Sequence, residues 1–526
     1  MSEYYQNNPS NAYAVNQYFR PEEAKKEEVK EETILTKLMK KQFSFFAPFT
    51  AVYALFYAFC LYRNASSITY PFFVAGTLCY FFFCMQKLGV PYKKDSVFYL
   101  VSVLLLGISN CLTTSLPLLW LNKCGIFLLT ITLMLHTVYN DNRWMLPSYF
   151  AAIFRTIGTS FCCLFRPLGD MVCYFDAQKQ EKSDKKSYFL PILIGLVIAV
   201  PLLFIMTILL ASADKVFDHL LVSITDFFNI PTLIELGALM VIVFFCSYAV
   251  IAALCKKSAV RENAKEKTLF DPVIAIVITG LLSIPYLLFS VIQILYLFLG
   301  QLTLPAGYTY AQYAREGFFQ LLAVCIINLG IVLIGIHLFR ESRALKAILL
   351  ILCGCTFIMI FSSALRMILY IDTYALTFLR IFVLWSLAVI FLLMAGVTAF
   401  IFYKQFPLFR YGIAVVTICY LVLSFSHPDY FIARYNLENG ADYDYLSRLS
   451  TDAAPVILDS SKNPYLTSIE DMLEKTKTDE NGSYNADDFY DFYWMKSYYC
   501  KMEYRTKGMG IRDFNFSLYQ AGKYVK

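Results

Sequence analysis

The chain has 526 residues, of which 58% are hydrophobic and only 16% are charged. Because soluble domains carry about a quarter charged residues, this composition excludes an ordinary soluble protein. The formal net charge of +6 is spread over short stretches between apolar runs. Nucleic-acid binding, which needs a continuous basic patch, is therefore not supported.

Residues 1–42 form a polar segment that ends in a run of mixed charge, PEEAKKEEVKEE. No apolar core of a signal peptide precedes the first long apolar run. We therefore expect this polar tail to stay in the cytoplasm, where it is made.

Apolar runs of about twenty residues, the length that crosses a bilayer core of roughly 30 Å, recur along the rest of the chain. They lie at 43–62, 67–86, 97–115, 118–138, 188–211, 233–254, 272–299, 317–338, 346–371, 375–402 and 410–426. This pattern predicts an all-α polytopic membrane protein with about eleven transmembrane helices. We expect an N-terminal membrane region of about four helices at 43–138 and a core membrane domain of about seven helices at 188–426.

Basic residues alternate between successive loops, and this alternation predicts the orientation of the chain. The loop after the second run contains Lys87, Lys93 and Lys94, whereas loops on the opposite side contain only isolated cations. Short cytoplasmic loops collect lysine and arginine. We therefore predict a multi-pass protein of the cell membrane with a cytoplasmic N-terminus and an extracytoplasmic C-terminus.

Residues 139–187 form a cytoplasmic segment that does not span the membrane. Apolar residues recur at every third or fourth position between Leu146 and Phe165, which is typical of an amphipathic helix lying in the membrane interface. The segment is interpreted as a passive interfacial helix, and the alternative is a helix that receives a signal.

Two polar segments are predicted to lie on the outer face. Ser212–Pro231 contains Asp214 and is too polar to cross a bilayer, so we expect a short helix or lid. Gly300–Phe319 leads into the eighth run, and its residues are either an interfacial aromatic belt or part of a binding site. Its candidate binding residues are Tyr308, Tyr310, Tyr313, Arg315 and Glu316.

Ser362–Arg380 joins the ninth apolar run to the tenth and places Arg366 and Arg380 within them. Cationic groups are costly inside a bilayer. At 1.5 Å per residue, Arg366 lies about 9 Å and Arg380 about 12 Å below the outer surface. Asp372 and Thr373 are candidates for the N-cap of the tenth helix.

Two interpretations of the arginines stay open. In the structural one, each guanidinium reaches the head groups or pairs with Glu316, Glu235 or Asp214 to fix helices together. In the functional one, Arg366 and Arg380 line an outward-facing polar cavity, together with Asp372 and the two outer segments. Such a cavity suits an anionic head group or a carboxylate, which guanidinium groups bind through paired hydrogen bonds.

The last hundred residues, 427–526, are polar and rich in tyrosine, and the topology places them outside. Ser468 and Asp471 have the spacing of a capping box, which marks the start of a helix. Cys500 is the one cysteine of this segment, so it has no disulfide framework. We predict a small α-rich extracytoplasmic domain.

Several short motifs resemble a family of bacterial multi-pass membrane proteins, frequent in Gram-positive bacteria and described only as a domain of unknown function. The motifs are Ser212-Ala213-Asp214, the string PAGYTYAQYAREGF at 305–318, Arg366-Met367, Leu379-Arg380, Pro428-Asp429, Ala433-Arg434-Tyr435-Asn436, Asp444-Tyr445-Leu446 and Asn515-Phe516-Ser517. The likeness runs from about residue 190 to the C-terminus, and Phe514 stands where the family pattern has tryptophan. The resemblance implies an architecture and a location but no activity.

The sequence favours a non-catalytic envelope protein that acts as a sensor, scaffold or assembly factor. No nucleotide-binding loop, HExxH helix or GxSxG elbow is present, and the four histidines are dispersed. We therefore predict no catalytic residues, metal or cofactor. The expected partners are the lipid bilayer and, on the outer face, an anionic lipid or an envelope protein.

The alternative is a transporter or lipid-handling protein that uses the polar cavity at Arg366 and Arg380. A membrane enzyme acting on a lipid-linked substrate is the weakest of the hypotheses. Such enzymes usually need an acidic residue in the first outer loop, and Arg63-Asn64-Ala65-Ser66 offers none.

Overall fold

The computed structural model describes residues 32–64, 66–141, 144, 146–181, 229–257, 270–295, 317–440, 443–476 and 486–525, with short pieces between 195 and 216. Helices form the regular structure of these residues, and a single isolated β-bridge pairs Phe270 with Phe339. The all-α prediction is confirmed for the described part of the chain.

Five helices lie in the first part of the chain. Thr33 begins the first of them, because its side-chain oxygen accepts a hydrogen bond from the Thr36 amide at 3.3 Å. The helices are α1 (Ile34–Lys41), α2 (Phe43–Leu61), α3 (Thr69–Lys87), α4 (Ser96–Leu112) and α5 (Leu116–Val138). Helix α2 packs on α3, α3 on α4, and α4 on α5, in chain order.

The segment predicted to be amphipathic forms two helices, α6 (Leu146–Cys162) and α7 (Arg166–Glu181), whose axes differ by 59°. One side of α6 is buried through Tyr149 and Ile153, whereas Phe154 and Phe161 on the other side are more than 70% exposed. A buried pair, the Tyr248 hydroxyl and the Asp170 carboxylate at 3.0 Å, joins α7 to the bundle.

Six further helices follow before residue 426. They are α8 (Ile230–Cys255), α9 (Pro272–Gln293), α10 (Phe318–Leu338), α11 (Arg343–Tyr374), α12 (Phe378–Phe402) and α13 (Leu408–Phe425). Helices α9, α10, α11 and α12 share one apolar core. Helix α8 instead packs on α2 and α6, which makes it part of the N-terminal half of the bundle.

The described helices include eight that are long and apolar enough to cross a membrane, so the chain is a polytopic membrane protein. They are α2, α5, α8, α9, α10, α11, α12 and α13. Helices α3 and α4 coincide with two further predicted runs, and the predicted run 188–211 lies largely outside the described residues. Large apolar side chains such as Phe59, Phe72 and Trp120 are exposed on the outside of the bundle, as expected of a surface that faces lipid.

The described part of residues 427–526 contains α-helices of 4 to 21 residues around a shared core. The helices are α14 (Pro428–Asn439), α15 (Tyr443–Arg448), α16 (Ala454–Ile457), α17 (Ile469–Lys475), α18 (Ala486–Thr506) and α19 (Phe516–Ala521). Met472, Met495, Tyr498 and Met502 are fully buried between them. The capping prediction is confirmed, because the Ser468 hydroxyl accepts the Asp471 amide at 3.0 Å.

The prediction that Asp372 or Thr373 caps the tenth helix is wrong. Helix α11 continues through both residues to Tyr374, and Thr377 is the residue before α12. The chain breaks at Ala375, whose φ of +68° is left-handed. A non-glycine residue adopts this conformation rarely, so contacts from elsewhere must hold it.

Candidate functional site

Arg366 is buried inside the bundle, with 6% of its surface exposed. Its Nη2 donates to the side-chain oxygen of Gln293 at 3.2 Å, and the Ser362 hydroxyl donates to the same oxygen at 2.6 Å. Gln293 is the last residue of α9. These bonds join the end of α9 to α11 through an amide.

The start of α10 lies directly against the same arginine. Gly317 has a φ of +120°, and a methyl group on it would lie 2.9 Å from Nη1 of Arg366. The neighbouring Phe318 carbonyl accepts the Ser363 hydroxyl at 3.3 Å. Glycine is therefore needed at 317 for both its backbone conformation and the space it leaves.

Arg380 closes the break between α11 and α12. Its guanidinium lies 4.3 Å from the ring centroid of Tyr370, and its Nη1 donates to the carbonyls of Tyr374, at 2.5 Å, and Ala375. These carbonyls lie at the C-terminal end of α11, where backbone acceptors have no partner within the helix and a cation is favoured. Arg380 thus caps α11 with its side chain.

The depths of the two arginines differ more than predicted. Arg366 lies eight residues before the end of α11, or about 12 Å along the helix axis. Arg380 is the third residue of α12, so it lies at the helix end rather than deep in the span. Tyr370 connects them, because it is one helical turn from Arg366 and lies under the guanidinium of Arg380.

The acids proposed as counter-ions have different positions. Glu235 binds Arg63 at 2.9 Å and the Tyr62 hydroxyl at 2.7 Å, so it joins the ends of α8 and α2. Asp214 is exposed and accepts the Val216 amide at 2.8 Å. The remaining candidates of the outer segment, Tyr308, Tyr310, Tyr313, Arg315 and Glu316, lie outside the described residues, as does most of the predicted cavity wall.

The C-terminal helices cover the break between α11 and α12. The side-chain amide of Asn436 pairs with the backbone of Leu376, accepting its N–H at 2.7 Å and donating to its carbonyl at 3.0 Å. The Tyr445 hydroxyl accepts the Phe378 amide at 2.9 Å. These residues belong to two of the family-like motifs, and here they stabilise the unusual backbone at 375–377.

Asp372 takes part in the same contact, although not as a cap. The Tyr435 hydroxyl donates to its Oδ1 at 3.2 Å. Both groups are exposed or half-buried, so this bond contributes little to stability. It shows that Asp372 faces the C-terminal helices rather than the interior of the bundle.

A buried carboxylate joins the C-terminal helices to the turn between α4 and α5. The Asp452 side chain, which is 0% exposed, accepts the Thr113 hydroxyl at 2.5 Å and the Thr114 amide at 3.2 Å. It also accepts the Ser517 hydroxyl, and His427 Nδ1 lies 3.3 Å from its Oδ2. Since the Thr114 hydroxyl additionally bonds Thr451 at 2.6 Å, this contact is a network.

The loop before α19 binds the turn between α2 and α3. The side-chain amide of Asn515 donates to the backbone carbonyls of Ser66 at 2.7 Å and Thr113 at 3.2 Å. The Ile68 N–H donates to the Phe514 carbonyl at 2.7 Å. We name the three contacted turns, residues 62–64 with 66–68, 113–115 and 375–377, the covered end of the bundle.

Two titratable groups of this network have shifted pKa values. The hydrogen bond to Asp452 raises the pKa of His427 above its usual value. Burial raises the pKa of Asp429, whose carboxylate accepts the Ser450 amide at 3.3 Å. Both shifts favour the protonated form of the group when the C-terminal helices are in contact with the bundle.

The chemistry at the covered end is that of a joint between two parts of the chain. The Thr113 and Ser517 hydroxyls donate to Asp452, and the Thr114 hydroxyl bonds that of Thr451, so these groups connect the C-terminal helices to the bundle. In the described part of the chain, no group of three or more His, Cys, Asp or Glu side chains is placed to hold a metal ion. The sequence does not identify Thr113, Thr114 and Asp452 as partners. The two threonines are more than 300 residues from Asp452, and the residues around each of the three contain no motif that predicts the contact.

Comparison with known proteins identifies the family. No curated protein and no solved structure matches the chain. The model of one family matches residues 100–460, a region that starts before the predicted likeness and ends before the Asn515 motif. It contains α11, α12 and Asp452, and it covers more than half of the 526 residues. The chain therefore belongs to the family described as Domain of unknown function (DUF4153).

Proposed function

We propose that the protein is a non-catalytic scaffold or assembly factor of the cell envelope, whose C-terminal helices form a fixed platform for another envelope component. The observation that supports this proposal is the buried network around Asp452. It binds the C-terminal helices to the covered end through a charged group, two backbone amides and several hydroxyls. A unit held this firmly is suited to presenting a surface.

The proposed topology has about eleven spans, including 188–211, with the N-terminus in the cytoplasm. The covered end and residues 427–526 are then extracytoplasmic. Residues 139–187, with α6 and α7, lie at the cytoplasmic interface. The basic loops that favour this orientation include the one that contains Lys87, Lys93 and Lys94.

The free surface of the platform has the composition of a protein-binding surface. Tyr504 is 83% exposed and Tyr519 is 46% exposed. Tyr443 on α15 and Tyr465 in the turn before α17 are also exposed. Tyrosine is enriched in protein interfaces, because it offers a large rigid contact area with a polar end. We therefore expect the partner to be a protein that contacts this surface from outside.

Chemical cross-linking in intact cells tests the proposal. Removal of residues 427–526 should abolish a specific cross-linked neighbour, and Tyr504→Ala should weaken it, because truncating an aromatic anchor typically costs at least about 1 kcal/mol. Lys475→Ala, on a different helix of the unit, is the matched surface control. An unchanged cross-linking pattern in the deletion variant would contradict the platform proposal.

The second candidate is a transporter or lipid-handling protein with an outward-facing polar cavity at Arg366. Burial of a guanidinium about 12 Å inside a span supports it, because ionisable groups at that depth usually serve a function. In that case Arg366→Gln abolishes the cellular phenotype while the amount of folded protein in the membrane stays normal. Loss of the folded protein instead assigns Arg366 to helix packing.

A further inference from the structure

Helix α9 buries a polar side, although it is long and apolar enough to cross a membrane. Its buried residues are Ala275 and four polar residues, Thr279, Ser283, Ser290 and Gln293. Large apolar residues lie on the outside of the same helix, and Leu281 and Ile284 are each 65% exposed. Helix α9 packs on α11, where the Ser362 hydroxyl donates to Gln293 at 2.6 Å. A span that turns its polar side inwards indicates a polar interior of the bundle.

Two buried polar atoms of α9 and α10 have no hydrogen-bond partner among the residues that the structure describes. One is the hydroxyl oxygen of Ser290, and the other is the side-chain oxygen of Asn328. Ser290 is 3% exposed, and Asn328 is fully buried. By contrast, Thr279 and Ser283 donate to carbonyls one turn earlier in α9, at 2.6 and 2.7 Å. Buried polar groups without a partner are costly and rare, so Ser290 and Asn328 each need one.

Asn328 lies near the middle of the bundle, below the level of Arg366. It is ten residues from each end of α10, and its side-chain amide donates to the Thr356 hydroxyl of α11 at 3.0 Å. Thr356 is ten residues before Arg366 in α11, so the two lie about 15 Å apart along the helix axis. Ser290 is three residues before Gln293, which bonds Arg366, and it therefore lies about 4.5 Å below that level. The polar groups extend from Arg366 to the midpoint of α10.

These groups meet where α9 and α10 both approach α11. Arg366 faces α9, because it bonds Gln293, and Thr356 faces α10, because it bonds Asn328. At about 100° per residue, Met359 lies between these two directions on α11. We name this region the polar seam, and it is bounded by Ser290, Gln293, Asn328, Thr356, Met359 and Arg366.

We propose that ordered water molecules occupy the polar seam and complete the hydrogen bonds of Ser290 and Asn328. A water molecule can donate to the Asn328 oxygen, and it can donate to the Ser290 hydroxyl or accept from it. An anion cannot donate to the Asn328 oxygen, and a cation at Ser290 would lie close to the guanidinium of Arg366. Water is therefore the ligand that fits both groups.

The hydrated seam extends the polar surroundings of Arg366 inwards by about 15 Å. Polar and charged groups that face the interior of a bundle commonly line the path of a small polar solute. The use of the seam as such a path rests on the second candidate function, the polar cavity at Arg366, and is independent of the platform. The two can fail separately, because the Arg366→Gln phenotype reports whether the cavity is used, whereas footprinting reports whether water is present at Asn328.

Hydroxyl-radical footprinting of the full chain in lipid nanodiscs tests for this water. X-ray radiolysis of a bound water molecule produces radicals that oxidise the side chains beside it. Met359 in the seam should be oxidised several-fold faster than Met394 of α12, which is buried in the same apolar core. The two methionines are 1% and 0% exposed, so bulk solvent contacts neither to a useful extent. Equal, slow oxidation of both would overturn the proposal.

Two variants test whether the water lies at Asn328. Asn328→Leu replaces the amide by an apolar side chain of similar size and should reduce the oxidation of Met359 to the level of Met394. Ile327→Leu is the matched control, because Ile327 is the adjacent residue and is 55% exposed on the outside of α10, and it should leave the oxidation of Met359 unchanged. Equal oxidation of Met359 in the two variants, both eluting as folded protein in size exclusion, would assign the water to another place and overturn the proposal. The comparison within the wild-type chain needs no substitution, so it decides even if Asn328→Leu misfolds.

Discussion

Substitution of Asp452 by alanine is expected to release the C-terminal helices from the covered end. The change removes the acceptor of the Thr113 hydroxyl at 2.5 Å and the Thr114 amide at 3.2 Å, and also that of the Ser517 hydroxyl. The hydroxyls can rotate towards other acceptors, but the buried Thr114 amide cannot. A hydrogen bond to a charged group contributes about 1.5–3 kcal/mol, so loss of the amide bond and of at least one hydroxyl bond should cost about 3–5 kcal/mol in total.

Hydrogen exchange measured by mass spectrometry on the purified full chain gives the free energy of this contact. A loss of about 3–5 kcal/mol accelerates exchange at 113–115 and 450–453 by roughly two to four orders of magnitude. Asp452→Asn keeps one oxygen as an acceptor and should cost only about 1–2 kcal/mol. It therefore tests the network even if the alanine variant misfolds.

The matched control is Asp444→Ala in the same unit. Asp444 is 72% exposed on its side chain and pairs with Arg448 one turn away on α15, so its removal should cost less than about 0.5 kcal/mol. The reasoning is refuted if Asp452→Ala and Asp444→Ala leave the exchange rates at 113–115 equally unchanged.

Three further predictions concern the same end of the bundle. The bond to Asp452 raises the pKa of His427, so protonated His427 stabilises the docked C-terminal helices fully below about pH 6.5, and this stabilisation is lost as the pH rises through the folded-state pKa. Hydrogen exchange should therefore show weaker docking at pH 8.5 than at pH 6. His427→Gln should reduce that difference. Gly317→Ala should lower the free energy of unfolding by about 1–3 kcal/mol and the thermal unfolding temperature with it, because φ at this position is +120° and the added methyl group would contact Arg366. Gly330 has open space around it, so Gly330→Ala should leave the unfolding temperature unchanged. Arg380→Ala should lower the free energy of unfolding by about 1–2 kcal/mol, because it removes the contact with the Tyr370 ring and the cap of α11. An unchanged unfolding temperature would exclude a capping role.

The sequence predicts the membrane helices well, because the evidence for each is contained in about twenty consecutive residues. The described helices follow the predicted runs, for example 272–299 against Pro272–Gln293 and 317–338 against Phe318–Leu338. The N-cap at Ser468 is local in the same way, and the start of the helix there is confirmed. In both cases physical cause and sequence signal lie within one helix.

The break between α11 and α12 could not be placed from the sequence, because its cause lies elsewhere in the chain. Residues 375–377, Ala-Leu-Thr, contain neither glycine nor proline, so the sequence favours the polar pair Asp372-Thr373 as the boundary. In the structure, the side chain of Asn436 binds both the N–H and the carbonyl of Leu376, which is 60 residues away in the chain. A tertiary contact of this kind overrides local capping preferences.

The acidic partners were equally hard to assign. The sequence predicts Glu235 as a partner of the deep arginines because it lies near the start of a span. In the structure it binds Arg63 at the surface, where both side chains are more than half exposed. The carboxylate that matters most for the contact, Asp452, lies in an ordinary polar stretch of sequence. Its role depends on partners at Thr113 and Ser517 that only the folded chain brings together.

The two arginines therefore have different relations to the platform. Arg380 closes the break that Asn436 and Tyr445 cover, so its guanidinium belongs to the joint between the bundle and the C-terminal helices. Arg366 lies one turn below Tyr370, where Gln293 and Gly317 bring the ends of α9 and α10 against it. Tyr370 connects the two places, because it lies under the guanidinium of Arg380 and is one helical turn from Arg366. The scaffold and the polar-cavity hypotheses are then coupled, because the joint that holds the platform is built on the same helix as the buried cation.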